Sequence, residues 1–240
     1  MSALAPENTL AAFRACKDHG VNWFEFDVGL IADGTAAVIH DDTLDRTTDA
    51  TGPVAALTAA DLARIDAGSW FGPEFAGERI PTLRGVVDLM NDLEIDANLE
   101  IKTGESREHL VAVVMTELER LDPSRRLIIS SFDPRILVRV WRALPRWRQR
   151  NRAEVELGFI FEEGKLAPTW RAVGAACGAS AMHPDVRMLT AERVHRYKSA
   201  GFAVNSWTVN DPEKARELEA WGVDGIFTDR AHEMPQEWRH

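Results

Sequence analysis

The sequence predicts an α/β protein built on a parallel sheet, of the (β/α)8 TIM-barrel class. Short apolar runs alternate with helical stretches along its 240 residues, as they do when crossover helices join parallel strands. This alternation is compatible with a doubly wound sheet or with a closed barrel. Several runs end in polar residues, as in barrels whose site lies at the carboxyl ends of the strands, and the chain is close to the roughly 250 residues of such a barrel.

Seven apolar runs are predicted as parallel strands because they are short and rich in β-branched and aromatic residues. They are, in chain order, WFEFDV, ANLEIK, LIISSF, ELGFIF, ASAMHP, AVNSWTV and GIFTD. A (β/α)8 barrel has eight strands, and the first element predicted for this chain is a helix. We therefore expect the first barrel strand to be missing in front of Met1, with a gap between WFEFDV and GIFTD.

The stretches between the strands carry the signals that begin and end helices. ENTLAAFRACKDHG has Asn8 or Thr9 as its N-cap and Gly20 at its end. NDPEKARELEAWG places Pro212 in its first turn and ends at Gly222. Two more helices are predicted over TLRGVVDLMND and over SREHLVAVVMTELERL, whose apolar residues recur at helical spacing.

One unit departs from the strand–helix alternation. Asp33 and Gly34 separate the end of EFDVGLIADG from TAAVIHD, and Asp-Gly between apolar alternating segments is a strong hairpin signal. AAVIHD is therefore predicted to return antiparallel to FEFDV. Because the two arms of a hairpin lie side by side, this return brings His40 close to Glu25 and Asp27.

The segment after the hairpin, residues 41–81, is irregular and rich in glycine, proline and aspartate. A connection of this length is too long for an ordinary loop of a compact domain. We predict a small inserted subdomain here, after the second barrel strand, within a single domain that spans residues 1–240.

The overall charge and the cysteines limit the functional classes. With 28 basic and 38 acidic residues the net charge is −10, which argues against general binding of nucleic acid or of anionic membranes. No apolar stretch approaches the roughly 18 residues of a membrane span, and no signal peptide is recognised. Cys16 and Cys177 show no CxxC spacing, which favours a reducing compartment and a cytoplasmic protein.

Acidic residues at the ends of two strands predict a metal site. Glu25 and Asp27 are two residues apart on one strand, so both carboxylates face the same side, and Glu100 ends the next parallel strand. Three carboxylates at one barrel mouth need a cation, and ligation by oxygen alone suits Mg²⁺ or Ca²⁺. Lys102, two residues after Glu100, could balance one charge or bind an anion such as phosphate.

Other polar residues give weaker signals. An E-x-D pair is commonly the solvated face of an antiparallel sheet, although a central parallel strand has both faces covered. Histidine has an ordinary pKa near about 6.5, so His40 is suited to proton transfer at neutral pH. His183, beside Pro184, is predicted to be a loop residue. Ser130 and Ser131 have no evident base nearby, which argues against a nucleophilic serine.

An ordered set of motifs resembles a known family. PENTLAAF, FEFDV, VIHDDTLDRTT, NLEIK, SSF, WTVN and GIFTD occur in this order over nearly the whole chain. This set is similar to the glycerophosphodiester phosphodiesterases, most closely to their cytoplasmic bacterial members. The resemblance implies a (β/α)8 barrel with an insertion after its second strand. It also implies a metal-dependent hydrolysis of small glycerophosphodiesters to glycerol 3-phosphate and an alcohol.

The resemblance also assigns residues to roles. It implies three ligands for Ca²⁺ or Mg²⁺, one of two catalytic histidines, a phosphate contact and the wall of a substrate pocket. In this sequence the matching positions are Glu25, Asp27 and Glu100 for the metal; His40 for catalysis; and Lys102, Phe132 and Trp207 for the substrate.

The chain departs from the family pattern at its start. The family has a His-Arg-Gly sequence a few residues before PENT, whereas Met1 of this chain falls just after that position. We expect the natural start to lie upstream, and the 240-residue chain to hydrolyse its substrate slowly or not at all. Two alternatives are a truncated, non-catalytic barrel that binds metal and phosphodiesters, and a phospholipase D-like lyase of the spider-toxin type.

Overall fold

The computed structural model describes residues 1–104, 106–162 and 169–239. In this part of the chain eight strands form one sheet, in the order β2-β1-β3-β4-β5-β6-β7-β8. The strands are β1 (Trp23–Leu30), β2 (Ala36–Val38), β3 (Asp96–Ile101), β4 (Arg126–Ser131), β5 (Glu154–Phe161), β6 (Ala181–Pro184), β7 (Ala203–Ser206) and β8 (Gly225–Ile226). Seven of them are parallel and correspond to the seven predicted runs, so the predicted class of fold is confirmed.

The helices connect the strands as predicted. They are α1 (Leu10–Asp18), α2 (Ala59–Leu62), α3 (Leu83–Leu93), α4 (Arg107–Glu117), α5 (Pro134–Trp147), α6 (Trp170–Ala176), α7 (Ala191–Ser199) and α8 (Pro212–Ala220). Thr9 caps α1, because its side chain accepts a hydrogen bond from the Ala12 N–H. Gly20 and Gly222 follow α1 and α8 with φ of 69° and 88°, values that glycine adopts without strain. No helix in the described part of the chain is both long enough and apolar enough to cross a membrane.

The sheet curls but stays open between β1 and β8. β3 pairs with most of β1, from Trp23 to Val28. β2 pairs with the carboxyl end of β1, from Val28 to Leu30. β8 pairs with β7 over two residues. Among the described residues β1 and β8 do not pair with each other. The gap predicted between these two strands is therefore present.

The hairpin is also present. Gly34, with φ of 86°, lies in the turn, and Val28 of β1 pairs with Val38 of β2. β2 is shorter than predicted, since it ends at Val38. His40 consequently lies two residues beyond the strand, with an exposed side chain, and not within it.

The segment 41–81 contains short elements and a small apolar cluster. α2 and two 3-10 helices, Val54–Ala56 and Pro73–Phe75, lie in it. The Asp66 carboxylate accepts backbone hydrogen bonds from three N–H groups and so fixes a loop of this segment. Buried apolar residues of the segment pack with residues of the hairpin. Its description as an inserted subdomain stays a prediction.

The alternation of side chains along β1 positions the site. Phe24, Phe26 and Val28 are buried in the main core against the helices, and the Phe24 ring stacks on Phe13 of α1 at 4.3 Å between ring centroids. Since side chains alternate across a strand, Glu25 and Asp27 face the other way, into the interior of the curled sheet. Apolar packing on the outer face therefore orients the two carboxylates on the inner face.

Candidate active site

The interior of the curled sheet encloses a cavity of about 710 Å³. Six of the seven predicted site residues line it, namely Glu25, Asp27, His40, Glu100, Phe132 and Trp207. The seventh, Lys102, contacts two of them. The structure thus brings together all the residues that the sequence nominated. The charged members and His40 come from the first 102 residues, whereas the two aromatic residues directly follow β4 and β7.

The three carboxylates form a compact cluster. The parallel register of β1 and β3 places Asp27 opposite Glu100, and Glu25 lies one side-chain repeat earlier on the same face. One oxygen from each carboxylate lies within 4.8 Å of the others. Asp27 and Glu100 are buried, whereas the Glu25 side chain projects into the cavity. A cluster of three oxygen donors at this separation fits a hard divalent cation.

The two glutamates of the cluster hold their protons more tightly than isolated carboxyls do. Removal from bulk water and the charge of Asp27 raise the pKa of Glu100 to about 7. The pKa of Glu25 is also raised well above its ordinary value, because protein surrounds the cavity and because Asp27 and Glu100 lie beside it. The protein alone therefore supplies too little positive charge to stabilise three ionised carboxylates.

Lys102 supplies the nearest positive charge. It follows the last residue of β3, and its Nζ lies 3.3 Å from Asp27 Oδ1 and 3.4 Å from Glu100 Oε1. Burial opposes the charge on Lys102, but the attraction of the two carboxylates outweighs burial, so the pKa of Lys102 is raised. Lys102 is consequently a permanent cation at neutral pH, at the edge of the acidic cluster.

His40 is oriented by a chain of ionic hydrogen bonds. Its Nδ1 lies 2.7 Å from Asp41 Oδ1. Arg46 donates to both oxygens of Asp41, at 2.6 and 2.9 Å, and to both oxygens of Glu7, at 2.7 Å each. The Arg46 guanidinium holds the pKa of Asp41 well below its usual range. His40 also lies close enough to Glu100 to interact with it electrostatically.

Asn8 is a site residue that the sequence reasoning missed, since it was considered only as a possible helix cap. Its Nδ2 donates to Asp27 Oδ2 at 2.9 Å, and its Oδ1 accepts from the Asp27 backbone N–H at 3.1 Å. Asn8 has φ of 54°, in the left-handed region that asparagine tolerates better than most residues. The sequence offers one signal for this role. Asn8 directly precedes the Thr9 cap, and asparagine is enriched among residues with positive φ.

Two aromatic side chains form one wall of the cavity. The rings of Phe132 and Trp207 meet edge to face, with centroids 5.7 Å apart. Trp207 Nε1 donates to the His183 carbonyl at 2.9 Å, which fixes the indole. The peptide bond between Trp207 and Thr208 is cis. The wall thus adds apolar surface to the cavity that the charged cluster also lines.

His183 corrects a prediction, because it is not a loop residue. It lies within β6 and is fully buried, beneath the aromatic wall. Asn205 Nδ2 lies 3.1 Å from His183 Nε2. Gly158 makes room for the ring, since a Cβ at that position would lie 2.3 Å from it. Burial lowers the pKa of His183 to about 3, so the imidazole is neutral at physiological pH.

The sequence matches the glycerophosphoryl diester phosphodiesterase family over residues 1–233. A glycerophosphodiester phosphodiesterase of Caldanaerobacter subterraneus subsp. tengcongensis is 35% identical over 229 residues, which cover 93% of this chain and 88% of the relative. A glycerophosphodiester phosphodiesterase of Bacillus subtilis is 29% identical, with 95% and 80% of the two chains covered.

Solved structures are similar as well. A phosphodiesterase of Oleispira antarctica, solved in complex with the product sn-glycerol-3-phosphate, is 31% identical and superposes with a TM-score of 0.88 over 98% of this chain and 91% of its own. A glycerophosphodiester phosphodiesterase of Thermotoga maritima is 26% identical, with a TM-score of 0.73 over 95% and 90% of the two chains. Together with the match over residues 1–233, these similarities confirm the resemblance read from the motifs: the chain belongs to the glycerophosphoryl diester phosphodiesterase family of enzymes.

Proposed function

We propose that the protein hydrolyses small glycerophosphodiesters to glycerol 3-phosphate and an alcohol in a reaction that depends on Ca²⁺ or Mg²⁺. One observation carries this proposal: three carboxylates and a lysine converge in a cavity that His40 also lines. The family membership and the product held by the Oleispira relative support the same class of substrate.

The residues present fit a divalent cation. Glu25, Asp27 and Glu100 offer only oxygen atoms, and burial together with the neighbouring carboxylates raises the pKa of both glutamates. These three residues would hold the cation. When bound, it would neutralise charge on the phosphoryl oxygens and so favour attack at phosphorus.

Lys102 and His40 have separate tasks in this proposal. Lys102 attracts the substrate phosphate, since it is a permanent cation within 3.4 Å of the cluster. Hydrolysis forms a bond between phosphorus and a water oxygen and breaks the bond from phosphorus to the alcohol oxygen. One proton leaves the water and one is delivered to the alcohol. His40 carries one of these two protons, with Asp41 fixing its ring.

The aromatic wall completes the substrate site. Phe132 and Trp207 lie in the cavity as apolar surface, against which the carbon atoms of glycerol or of the alcohol group can pack. We assign no proton transfer to His183, because burial lowers its pKa to about 3 and the imidazole is neutral at physiological pH.

The experiment measures glycerol 3-phosphate released from glycerophosphocholine in the presence of Ca²⁺ or Mg²⁺. In line with the sequence analysis we expect slow release, which a chelator abolishes and which His40→Ala reduces further, toward the contribution of about 10²- to 10⁴-fold that one general acid or base makes. His195→Ala is the matched control, since His195 is exposed on α7 and its Nε2 lies 3.3 Å from Ser199 Oγ on the same helix. It should leave activity unchanged.

Other outcomes separate the two alternative functions. A cyclic phosphate as the final product, seen by ³¹P nuclear magnetic resonance, would identify a lyase. Calorimetric binding of the substrate with no turnover would identify a binding protein. Cation-independent release of glycerol 3-phosphate would contradict the proposed role of the three carboxylates.

A further inference from the structure

Helix α5 and the turn after it concentrate positive charge in an acidic protein. Residues 134–152 contain seven arginines and no acidic residue, although the net charge of the whole chain is −10. Such a separation of charge is unnecessary for packing the helix, because its apolar residues already bury one face. The opposite face of α5 is therefore a candidate surface for binding a partner.

Four of the arginines form a straight stripe along α5. Arg135, Arg139, Arg142 and Arg146 recur at spacings of four, three and four residues, which places them on one side of a helix. All four are exposed. At 1.5 Å per residue the stripe is about 16 Å long. We call this surface the arginine stripe.

The arginine stripe is only partly neutralised by the protein itself. Arg135 is paired with Asp133, and Arg139 with the exposed Glu108. Arg142 and Arg146 have no carboxylate partner among the described residues. The surface therefore carries net positive charge that is available to an anionic partner.

An aromatic side chain borders the stripe. Trp141 is 53% exposed, one of few large apolar residues so exposed among the described residues. Its indole lies against Gly178, where a Cβ would approach it to 2.4 Å, so its orientation is fixed. An amphipathic ring at the edge of a basic surface is a typical feature of proteins that contact the headgroup layer of a membrane.

We propose that the arginine stripe and Trp141 dock the enzyme on the surface of a bilayer that contains anionic lipids. The apolar face of α5 stays packed in the core, so the contact is adsorption on the headgroups and not insertion. A flat bilayer touches only the face turned toward it, and the acidic surface elsewhere remains in solvent. The same geometry favours a bilayer over a nucleic acid, whose phosphates would follow a longer basic track.

The position of α5 relates the stripe to the cavity. Phe132, which lines the cavity wall, is followed directly by Asp133 and by Pro134, the first residue of α5. The stripe therefore begins next to the cavity mouth. The lipid headgroups at such a surface have the same glycerophosphodiester chemistry as the substrate proposed above.

The test is sedimentation of the full chain with vesicles. Vesicles of 30% phosphatidylglycerol in phosphatidylcholine are compared with vesicles of phosphatidylcholine alone, at 50 mM and 500 mM NaCl. We expect binding to the anionic vesicles at low salt, little binding to the neutral vesicles, and loss of binding at high salt, because salt screens exposed charges.

Two triple variants with the same change of charge locate the surface. The first is Arg139→Gln with Arg142→Gln and Arg146→Gln. The second is Arg14→Gln with Arg171→Gln and Arg196→Gln, three exposed positions on α1, α6 and α7. A basic residue near an anionic bilayer contributes roughly fivefold in affinity, so the first variant should bind on the order of 100-fold more weakly. The second should stay within about threefold of the wild type.

Several results would overturn the proposal. One is equal binding of the wild type to neutral and anionic vesicles, and another is equal loss of binding in both triple variants. Binding of a 20-nucleotide RNA with no binding to vesicles would assign the stripe to nucleic acid instead. Thermal unfolding of both variants shows whether they fold, and the lipid and salt dependence of the wild type tests the proposal even if one does not. None of these measurements depends on catalytic activity, so they stand apart from the proposed hydrolysis.

Discussion

The Asn8 side chain forms hydrogen bonds with both the carboxylate and the backbone N–H of Asp27. The Asn8 amide donates to Asp27 Oδ2 at 2.9 Å and accepts from the Asp27 N–H at 3.1 Å, across a separation of 19 residues. The residue just before α1 thereby sets the side-chain and backbone position of a carboxylate on β1. Asp27 is 3% exposed, so water replaces these hydrogen bonds poorly.

Replacing Asn8 should disturb the acidic cluster. Asn8→Gly removes both hydrogen bonds but adopts φ of 54° without strain, whereas Asn8→Ala removes the same bonds and adds roughly 1 kcal/mol of strain. We expect the glycine variant to lose about 1–3 kcal/mol of unfolding free energy, the cost of a buried group without its partner. Urea denaturation measures this loss, and calorimetry should show weaker binding of Ca²⁺ or Mg²⁺. Wild-type cation affinity in both variants would contradict a positioning role for Asn8.

Binding of a cation should stabilise the folded protein through Asp27. A ligand at 100 times its dissociation constant adds about 2.7 kcal/mol to the free energy of unfolding. Asp27→Asn should lose most of this gain in a comparison of unfolding with Ca²⁺ or Mg²⁺ and with a chelator. Asp92→Asn is the matched control because Asp92 is exposed on α3, away from the cluster. If Asp27→Asn gains as much as the wild type, the cation binds elsewhere.

The contribution of Glu100 to the stability of the cation-free protein should fall as the pH rises. The pKa of Glu100 is about 7 in the folded protein and near 4.5 in an unfolded chain, so the folded state keeps a proton that the unfolded state releases between these values. The stabilisation is complete below about pH 4.5 and is lost as the pH rises through about 7. The raised pKa of Glu25 acts in the same direction.

Glu100→Gln provides the measurement for this pH dependence. Its side chain carries no ionisable proton. Between pH 5 and pH 8 the unfolding free energy of the cation-free wild type should therefore fall, relative to that of the variant, by roughly 1–3 kcal/mol. Denaturation curves across this range, with a chelator present, measure the difference. Identical pH profiles for variant and wild type would show that Glu100 ionises at an ordinary pH.

Arg46 should affect turnover more than substrate binding. It joins Asp41 to Glu7 by four hydrogen bonds, and a lysine cannot form this double fork although it keeps the charge. In the proposed hydrolysis, Arg46→Lys should lower kcat about 10- to 100-fold, because small displacements of a catalytic group are costly. KM should stay within about threefold, and the pH–rate profile should shift. Arg64→Lys, at an exposed pair with Asp61, is the control; a raised KM with unchanged kcat would contradict the prediction.

Local patterns were sufficient to predict most of the fold and the acidic cluster. The alternation of Phe24, Glu25, Phe26 and Asp27 predicts which side chains share a face, since a strand repeats every two residues. The Asp33-Gly34 turn predicts the pairing that leads the chain back toward β1. These features depend on neighbours in sequence, so a single sequence contains them.

The missed features depend on residues far apart in sequence. Arg46 and Glu7 are 39 residues apart, and neither residue type nor spacing predicts their pairing. His183 was wrongly predicted as a loop residue because Pro184 follows it. Pro184 is the last residue of β6, where a missing N–H costs little. The arginine stripe is not evident from the total charge of the chain, which is −10.

The division of the site along the chain has a consequence for its synthesis. Asn8, His40, the three carboxylates of the cluster and Lys102 all precede residue 103, whereas the aromatic wall needs Phe132 and Trp207. At about 5–20 residues per second, Trp207 leaves the ribosome roughly 5–20 seconds after Lys102. The acidic residues are therefore exposed to cellular cations before the wall that encloses them is made. A cation that joins β1 to β3 at this stage would act on the nascent chain as a folding aid, before any substrate could be held.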